Sequence, residues 1–371
     1  NEVLKVLKSD TITQGKTILK FEESLKKKFG AKYCSVVSSG TAALHLAGIA
    51  LNWKKGDIIL TSPISFLASA NCILYSNAIA DFVDIDNKTY TIDLNKTEEK
   101  IKRYIKIGKK IKTIIGVDYA GHPCDWKSLK FLSNKYNITL INDNCHALGS
   151  SYKGSTKYAN KYAHIVTQSF HPVKAITTGE GGAVMSQDSK LNNIINNYRN
   201  HGIERDINQI AKKGLWYYRM KNLGYNYRIT DFQCALGISQ LSKLNNFIKK
   251  RNNIAEKYNY YLKDIDFLTI PYVDSEVKHS YHLYPLKINF NKIKINKRNF
   301  FINMKKSGIN LQVHYIPIHL QPYYKNKFKY HRGELKNSEL FYKSQCSLPI
   351  YPSLSNKDQK FIIKELIKIL K

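Results

Sequence analysis

The segment QSFHPVKAITTGEGGAV, residues 168–184, places Lys174 five residues after Ser169 and five before Gly179. A lysine amine attacks carbonyl carbon and, once released, acts as a base. Three other features match that chemistry. Asp143 closes the strand-like run ITLIND, where its carboxylate projects over a sheet's carboxyl edge and can pair with a protonated ring nitrogen. Gly40 and Thr41 open the apolar run TAALHLAGIAL after Ser38 and Ser39, so the N–H groups and dipole of a helix start there offer an anion site. Ser169 ends the run AHIVTQSF and adds a hydroxyl for the same anion.

A phosphate cradle, a carboxylate for a ring nitrogen and a lysine in reach of both are what pyridoxal phosphate requires. The lysine anchors the cofactor through a Schiff base and later moves the substrate proton, while the carboxylate keeps the ring nitrogen protonated so that the ring accepts electrons. Each residue alone has an ordinary reading. A single lysine faces solvent, Asp143 caps a helix, Ser-Gly-Thr makes a turn, and His146 and Phe66 belong to a core or a surface. The inference rests on their joint order and spacing.

Those side chains must be positioned by alternating elements. DIILTS and IKTIIGVD read as strands, CDWKSLKFLSNKYN as an amphipathic helix and ITLIND as the next strand, a βαβ unit. Strands alternating with helices imply a mostly parallel sheet covered on both faces, with ligands at the carboxyl ends of its strands. FQCALGISQLSKLNNFIKKRNNIAEKYNYYL is a long helical pattern linking a large domain, 1–240, to a smaller C-terminal α+β domain, 241–371, in which YHLYPLKI and NLQVHY read as strands. The 371 residues suffice for two cores, and a hydrophobic fraction of 43% with 12% aromatics excludes disorder.

The net charge of +31 is spread along the whole length rather than gathered into a stripe or arm. With no zinc finger, RNP-like strand or basic tail, nucleic acid is not the expected partner, whereas small dianions are compatible with the field. The six cysteines lack any CxxC pairing and read as reduced thiols of a cytoplasmic protein, with no metal site. No apolar run reaches the ~20 residues of a membrane span. The N-terminus lacks a methionine and a signal-peptide core, so a short preceding segment is expected to be missing.

SSGTAALHLA, SPISFLASAN, INDNCHALGSSYKG, QSFHPVKAITTGEGGAV and LGYNYRITDFQCALGISQLSKL, in this order and over nearly the whole chain, resemble the DegT/DnrJ/EryC1/StrS family of sugar aminotransferases. The resemblance implies an α/β fold of the aspartate-aminotransferase type (fold type I), pyridoxal phosphate, glutamate as amino donor and a homodimer with shared active sites. It makes Lys174 the Schiff-base lysine, Asp143 the partner of the pyridine nitrogen, His146 a neighbour of the ring, Phe66 the aromatic stacked on it, and Gly40, Thr41 and Ser169 phosphate ligands. Asn226 matches an asparagine that reaches the phosphate from the other subunit.

Within the family, TITQGKTILKFEESL, DYAGHPCDW, QVHYIPIHLQPYY and SLPIYPSLS resemble the branch that aminates C4 of a UDP-linked 4-keto-6-deoxy-N-acetyl amino sugar in pseudaminic acid synthesis. That similarity implies a nucleotide-sugar pocket lined by Asp10, Thr11, Ile12 and Thr13 and by His314, Tyr315, Ile316 and Pro317. Ala175 stands where this branch often has proline, and an early aromatic substrate contact is not present. Other nucleotide keto sugars, aminated at C3 or C4, remain alternatives. A sugar dehydratase is opposed by Lys174, since the best-known dehydratases of the family carry histidine there, and a non-catalytic relative is opposed by the intact Lys174, Asp143 and Ser169.

Overall fold

The computed structural model describes residues 1–371. Seven strands form the main sheet, in the spatial order Tyr33–Val37, Gly182–Ser186, Ile165–Ser169, Thr139–Asp143, Ile111–Val117, Ile58–Thr61, Ile79–Phe82. All neighbours are parallel except Gly182–Ser186, which runs antiparallel to both strands it touches. These strands are buried along nearly their whole length because both faces are covered. One face packs against Phe21, Leu25, Trp126 and Leu129, the other against Ala43, Leu46, Ala70 and Ile73.

Local chemistry sets where the covering helices begin. The helix Gly40–Ala50 starts because the Ser39 hydroxyl accepts from the Ala42 N–H at 3.0 Å. The helix Trp126–Tyr136 is capped by Asp125 and stops at Asn137, which turns into the left-handed region with φ 52°. Parallel connection brings the carboxyl ends of Ile58–Thr61, Ile111–Val117, Thr139–Asp143 and Ile165–Ser169 to one edge.

The helix Asp231–Leu262 runs for 32 residues and belongs to two cores. Cys234, Leu241, Leu244 and Ile248 pack into the core beside the large sheet. Ile254, Ala255, Tyr258 and Leu262 pack into a second core with Leu286, Phe300 and Ile363. That second core carries a three-stranded antiparallel sheet, Leu268–Thr269, Tyr284–Ile288 and Gln345–Leu348. NLQVHY is not a strand: only Gln312 bridges, to Ser347. Its alternation arises instead because the chain leaves the second core there and returns to the large sheet. Ile318 N–H donates to Pro63 O at 2.9 Å, Tyr324 O–H to Asn71 Oδ1 at 2.7 Å, and Ile318, Tyr324 and Leu335 join the core of the helix Gly40–Ala50. This return carries His314 and Tyr315 across to the sheet's carboxyl edge. No helix is long and apolar enough to cross a membrane.

Candidate active site

A cavity of about 510 Å³ opens at that edge, lined by Gly40, Thr41, Phe66, Asp143, His146, Ser169, Lys174, His314 and Tyr315 among others. Residues spread over 276 positions of sequence, from Gly40 to Tyr315, thus meet in one space.

The corner formed by Gly40, Thr41 and Ser169 suits an anion. Ser39 accepts the N–H groups of Ala42 and Ala43, which leaves those of Gly40 and Thr41 at the helix start. Ser169 sits at the end of its strand against the same helix start, so close that a Cβ on Gly40 would lie 2.8 Å from Ser169 Cβ. Only glycine lets the helix start meet that strand.

Asp143 is buried at the end of its strand. Ser69 donates to Oδ2 at 2.6 Å and the Cys145 N–H to Oδ1 at 3.3 Å. Lys174 is half-buried on a loop whose base is pinned by Phe170 N to Gly181 O, 2.8 Å, and Thr178 N to Phe170 O, 3.0 Å. Burial lowers the lysine's pKa, against the opposing pull of Cys145 and Asp143, so the ammonium gives up its proton more readily than an exposed one.

His146 is buried, with the Ala120 N–H 3.3 Å from Nδ1 and the Tyr315 hydroxyl 3.2 Å from Nε2. A backbone N–H can only donate, so Nδ1 carries the lone pair and the ring proton sits on Nε2, donating to Tyr315. Burial first, then Lys174 and His314, hold the imidazole well below its usual pKa and therefore neutral. With its oxygen accepting from His146, Tyr315 keeps its own proton for the cavity. Burial and the nearby Asp143 raise the pKa of that phenol. His314 is held at about 4 by burial and Lys174, and Tyr119 O–H donates to its carbonyl.

A second cavity of about 640 Å³ adjoins the first and shares Val173, Lys174, His314 and Tyr315 with it. Its 21 lining residues include Lys174, Lys250 and Arg251 and no carboxylate. Arg251 is buried and donates to three carbonyls, of Tyr281, His282 and Ile350.

Not every residue singled out in the sequence reaches these cavities. Asp10, Thr11, Ile12 and Thr13 are exposed and line neither; the Asp231 N–H donates to Ile12 O, and Thr13 bridges to Thr230. Asn226 is exposed, bridged to Asn200, and outside both. Ile316 is exposed and Pro317 buried, and neither lines a cavity. Sequence reasoning passed over Ser65, Ser69, Cys145 and His282. Ser65 lies in the bend before the helix Ala68–Tyr75 and Ser69 in its first turn, and the two hydroxyls meet at 2.6 Å.

The residues present fit pyridoxal phosphate. The glycine-tight corner with free N–H groups takes a phosphate, Asp143 retains oxygen lone pairs for a ring N–H, and Lys174 shares the same cavity.

Comparison with known proteins agrees with this geometry. The family described as DegT/DnrJ/EryC1/StrS aminotransferase matches residues 1–367. A UDP-4-amino-4,6-dideoxy-N-acetyl-beta-L-altrosamine transaminase of Campylobacter jejuni (strain 81-176) is 41% identical over 99% of this chain and 93% of its own. Among solved structures, Helicobacter pylori PseC, an aminotransferase involved in pseudoaminic acid biosynthesis, is similar with a TM-score of 0.90 and 34% identity. The match covers 100% of this chain and 95% of that one. The PLP-form of the putative sugar aminotransferase Spr1654 from Streptococcus pneumoniae matches with a TM-score of 0.87 and 25% identity, over 100% of this chain and 96% of that one.

Proposed function

Because the chain belongs to the DegT/DnrJ/EryC1/StrS aminotransferase family, we propose that this pyridoxal-phosphate enzyme moves an amino group from glutamate to C4 of a UDP-linked 4-keto-6-deoxy-N-acetyl amino sugar. The product is an intermediate of pseudaminic acid, a surface glycan sugar. The observation that carries this reading is the meeting of Lys174, Asp143 and the Gly40–Ser169 corner in one cavity.

Bound there, pyridoxal phosphate supplies an electron sink for the pair left when a C–H bond next to nitrogen breaks. The protein's residues do the rest. Gly40 and Thr41 N–H groups and the Ser169 hydroxyl would hold the phosphate. Lys174 Nζ would hold the cofactor and would serve as the base for the substrate proton, for which its lowered pKa suits it. Asp143 would hold the proton on the ring nitrogen, Phe66 would lie against the ring, and Tyr315 would offer its hydroxyl proton to the substrate.

The acid-free second cavity matches substrates that are all anions: a diphosphate and a dicarboxylate. In the same proposal the enzyme is a cytoplasmic homodimer in which Asn226 serves the neighbouring site and Asp10–Thr13 meet the nucleotide sugar there. The division into a large unit, 1–240, and a smaller one, 241–371, belongs to it as well. The test is incubation with glutamate and a panel of UDP-keto sugars, with the amino sugar identified by NMR. Formation of a 4-amino product from the 4-keto-6-deoxy-N-acetyl substrate is expected, and amination of only a 3-keto sugar refutes the substrate assignment. Borohydride treatment followed by peptide mapping should find the cofactor on Lys174; an adduct on another lysine refutes that role.

A further inference from the structure

Behind the carboxylate of Asp143 lies a chain of two buried hydroxyls. Ser69 is 1% exposed and Ser65 3%. Ser69 Oγ is 2.6 Å from Asp143 Oδ2, and Ser65 Oγ is 2.6 Å from Ser69 Oγ. An ionised carboxylate only accepts, so the single hydroxyl proton of Ser69 goes to Asp143. Ser69 then has only lone pairs left for Ser65, and Ser65 must be the donor between them. The direction of both protons is thus fixed, from Ser65 to Ser69 to Asp143.

Geometry gives this chain a purpose. The other oxygen, Oδ1, receives the Cys145 N–H at 3.3 Å. One donor on each oxygen opposes rotation about the Cβ–Cγ bond and fixes which lone pairs face the cavity that Ser65, Ser69 and Asp143 all line. Ser69 lies in the first turn of the helix Ala68–Tyr75, and Ser65 precedes Phe66. One short segment therefore carries both the tether of the carboxylate and the aromatic ring at the cavity mouth.

We infer that Ser65 and Ser69 are positioning residues, a hydroxyl relay that aims Asp143 at the ring nitrogen of the bound cofactor. The relay rests on the reading of Asp143 as partner of that nitrogen. Its function is to keep an acceptor lone pair where the ring N–H arrives, so that no orientational freedom of the carboxylate is lost on binding.

The experiment compares the affinity of the apoprotein for pyridoxal phosphate with its affinity for the 1-deaza analogue, in which carbon replaces the ring nitrogen, by equilibrium dialysis. In Ser69→Ala the carboxylate loses a charge-assisted hydrogen bond, and binding of pyridoxal phosphate is expected to weaken about tenfold. Ser65→Ala, which leaves Ser69 in place, is expected to weaken it about threefold. Both variants should bind the 1-deaza analogue within about twofold of wild type, because it has no N–H for Asp143 to receive. Equal weakening toward both ligands means that the serines serve packing alone and overturns the relay. So does unchanged affinity of Ser69→Ala for pyridoxal phosphate beside an impaired Asp143→Asn. If Asp143→Asn itself binds both ligands as wild type does, the reading of Asp143 falls and the relay with it.

Discussion

Asp118→Asn probes the polar knot that holds the turn after Asp143. Asp118 is fully buried, and four donors converge on it: Cys124 N and Trp126 Nε1 at 2.8 Å on Oδ1, Asn144 Nδ2 at 2.8 Å and Tyr158 O–H at 2.7 Å on Oδ2. Its own N–H donates to the carbonyl of Asp143 at 3.2 Å. An asparagine oxygen can still serve Cys124 and Trp126, but its NH₂ then faces Asn144 Nδ2. Asn144 cannot turn round, because its oxygen accepts from Gln168 Nε2. Tyr158 can rotate its hydroxyl, so one buried amide donor is stranded, at about 1–3 kcal/mol. The charge-assisted strength of the remaining bonds is lost too, while removal of a buried charge offsets part of both.

A net loss of about 2 kcal/mol at pH 7 is expected by urea unfolding of the apoprotein. The pH dependence has a definite sign. Burial raises the Asp118 pKa, so the native state holds that proton more tightly than the unfolded chain does. The wild type therefore loses stability as pH rises from about 3.9 toward the folded value, whereas the asparagine variant has no such slope. The gap between the two should be widest at the acid end and narrow toward neutrality. Stability within about 0.5 kcal/mol of wild type at pH 7, or a gap that widens with pH, refutes this account of the knot.

In Gly40→Ala the new Cβ would sit 2.8 Å from Ser169 Cβ and 3.1 Å from its hydroxyl, forcing the helix start off the strand. A loss of about 1–3 kcal/mol and weaker pyridoxal phosphate binding by absorbance titration are expected, and unchanged affinity refutes the phosphate corner. Lys174→Met should raise the melting temperature of the apoprotein by about 1–2 °C at pH 7. The lysine's lowered folded pKa burdens the native state below the unfolded value of about 10.4, so the advantage should shrink as pH approaches 10. A variant that melts below wild type at pH 7 shows that the amine is not desolvated. Mixing Lys174→Ala with Asn226→Ala subunits should restore turnover, since one site per mixed dimer collects neither defect. If native mass spectrometry finds mixed dimers without that gain, Asn226 does not serve the neighbouring site.

Much of the fold was legible because its signals are local. IKTIIGVD, ITLIND and AHIVTQSF are apolar runs of strand length, and the structure pairs them side by side with Asp143 and Ser169 at their ends. Lys174 stood out through its distance from Ser169 and Gly179 rather than its type, in a chain with 59 lysines and arginines. What the sequence hid was contact between distant segments. Asp118 looked like the tail of an apolar strand, and nothing local announces that Cys124, Trp126, Asn144 and Tyr158 all point at it. Ser65 and Ser69 were overlooked beside Phe66 because serines in a bend and in the first turn of the helix that follows it are common. NLQVHY was misread because period-two alternation reports a half-buried extended chain, and an extended chain crossing between two cores has that pattern without a sheet partner. Asn226 and Asp10–Thr13 were singled out through resemblance alone, and in this chain they are exposed and line neither cavity.

The helix Asp231–Leu262 has a mechanical consequence. At about 1.5 Å per residue its 32 residues form a single rod of roughly 48 Å, with no proline along its length. The rod begins beside the sheet that carries Asp143 and ends among the side chains that support Tyr284–Ile288. Fraying either end strips apolar cover from the core at that end and loosens the ladder of hydrogen bonds that the other core relies on. The two cores are thereby geared together, like two wheels on one axle, and heat should melt them in one calorimetric peak rather than two.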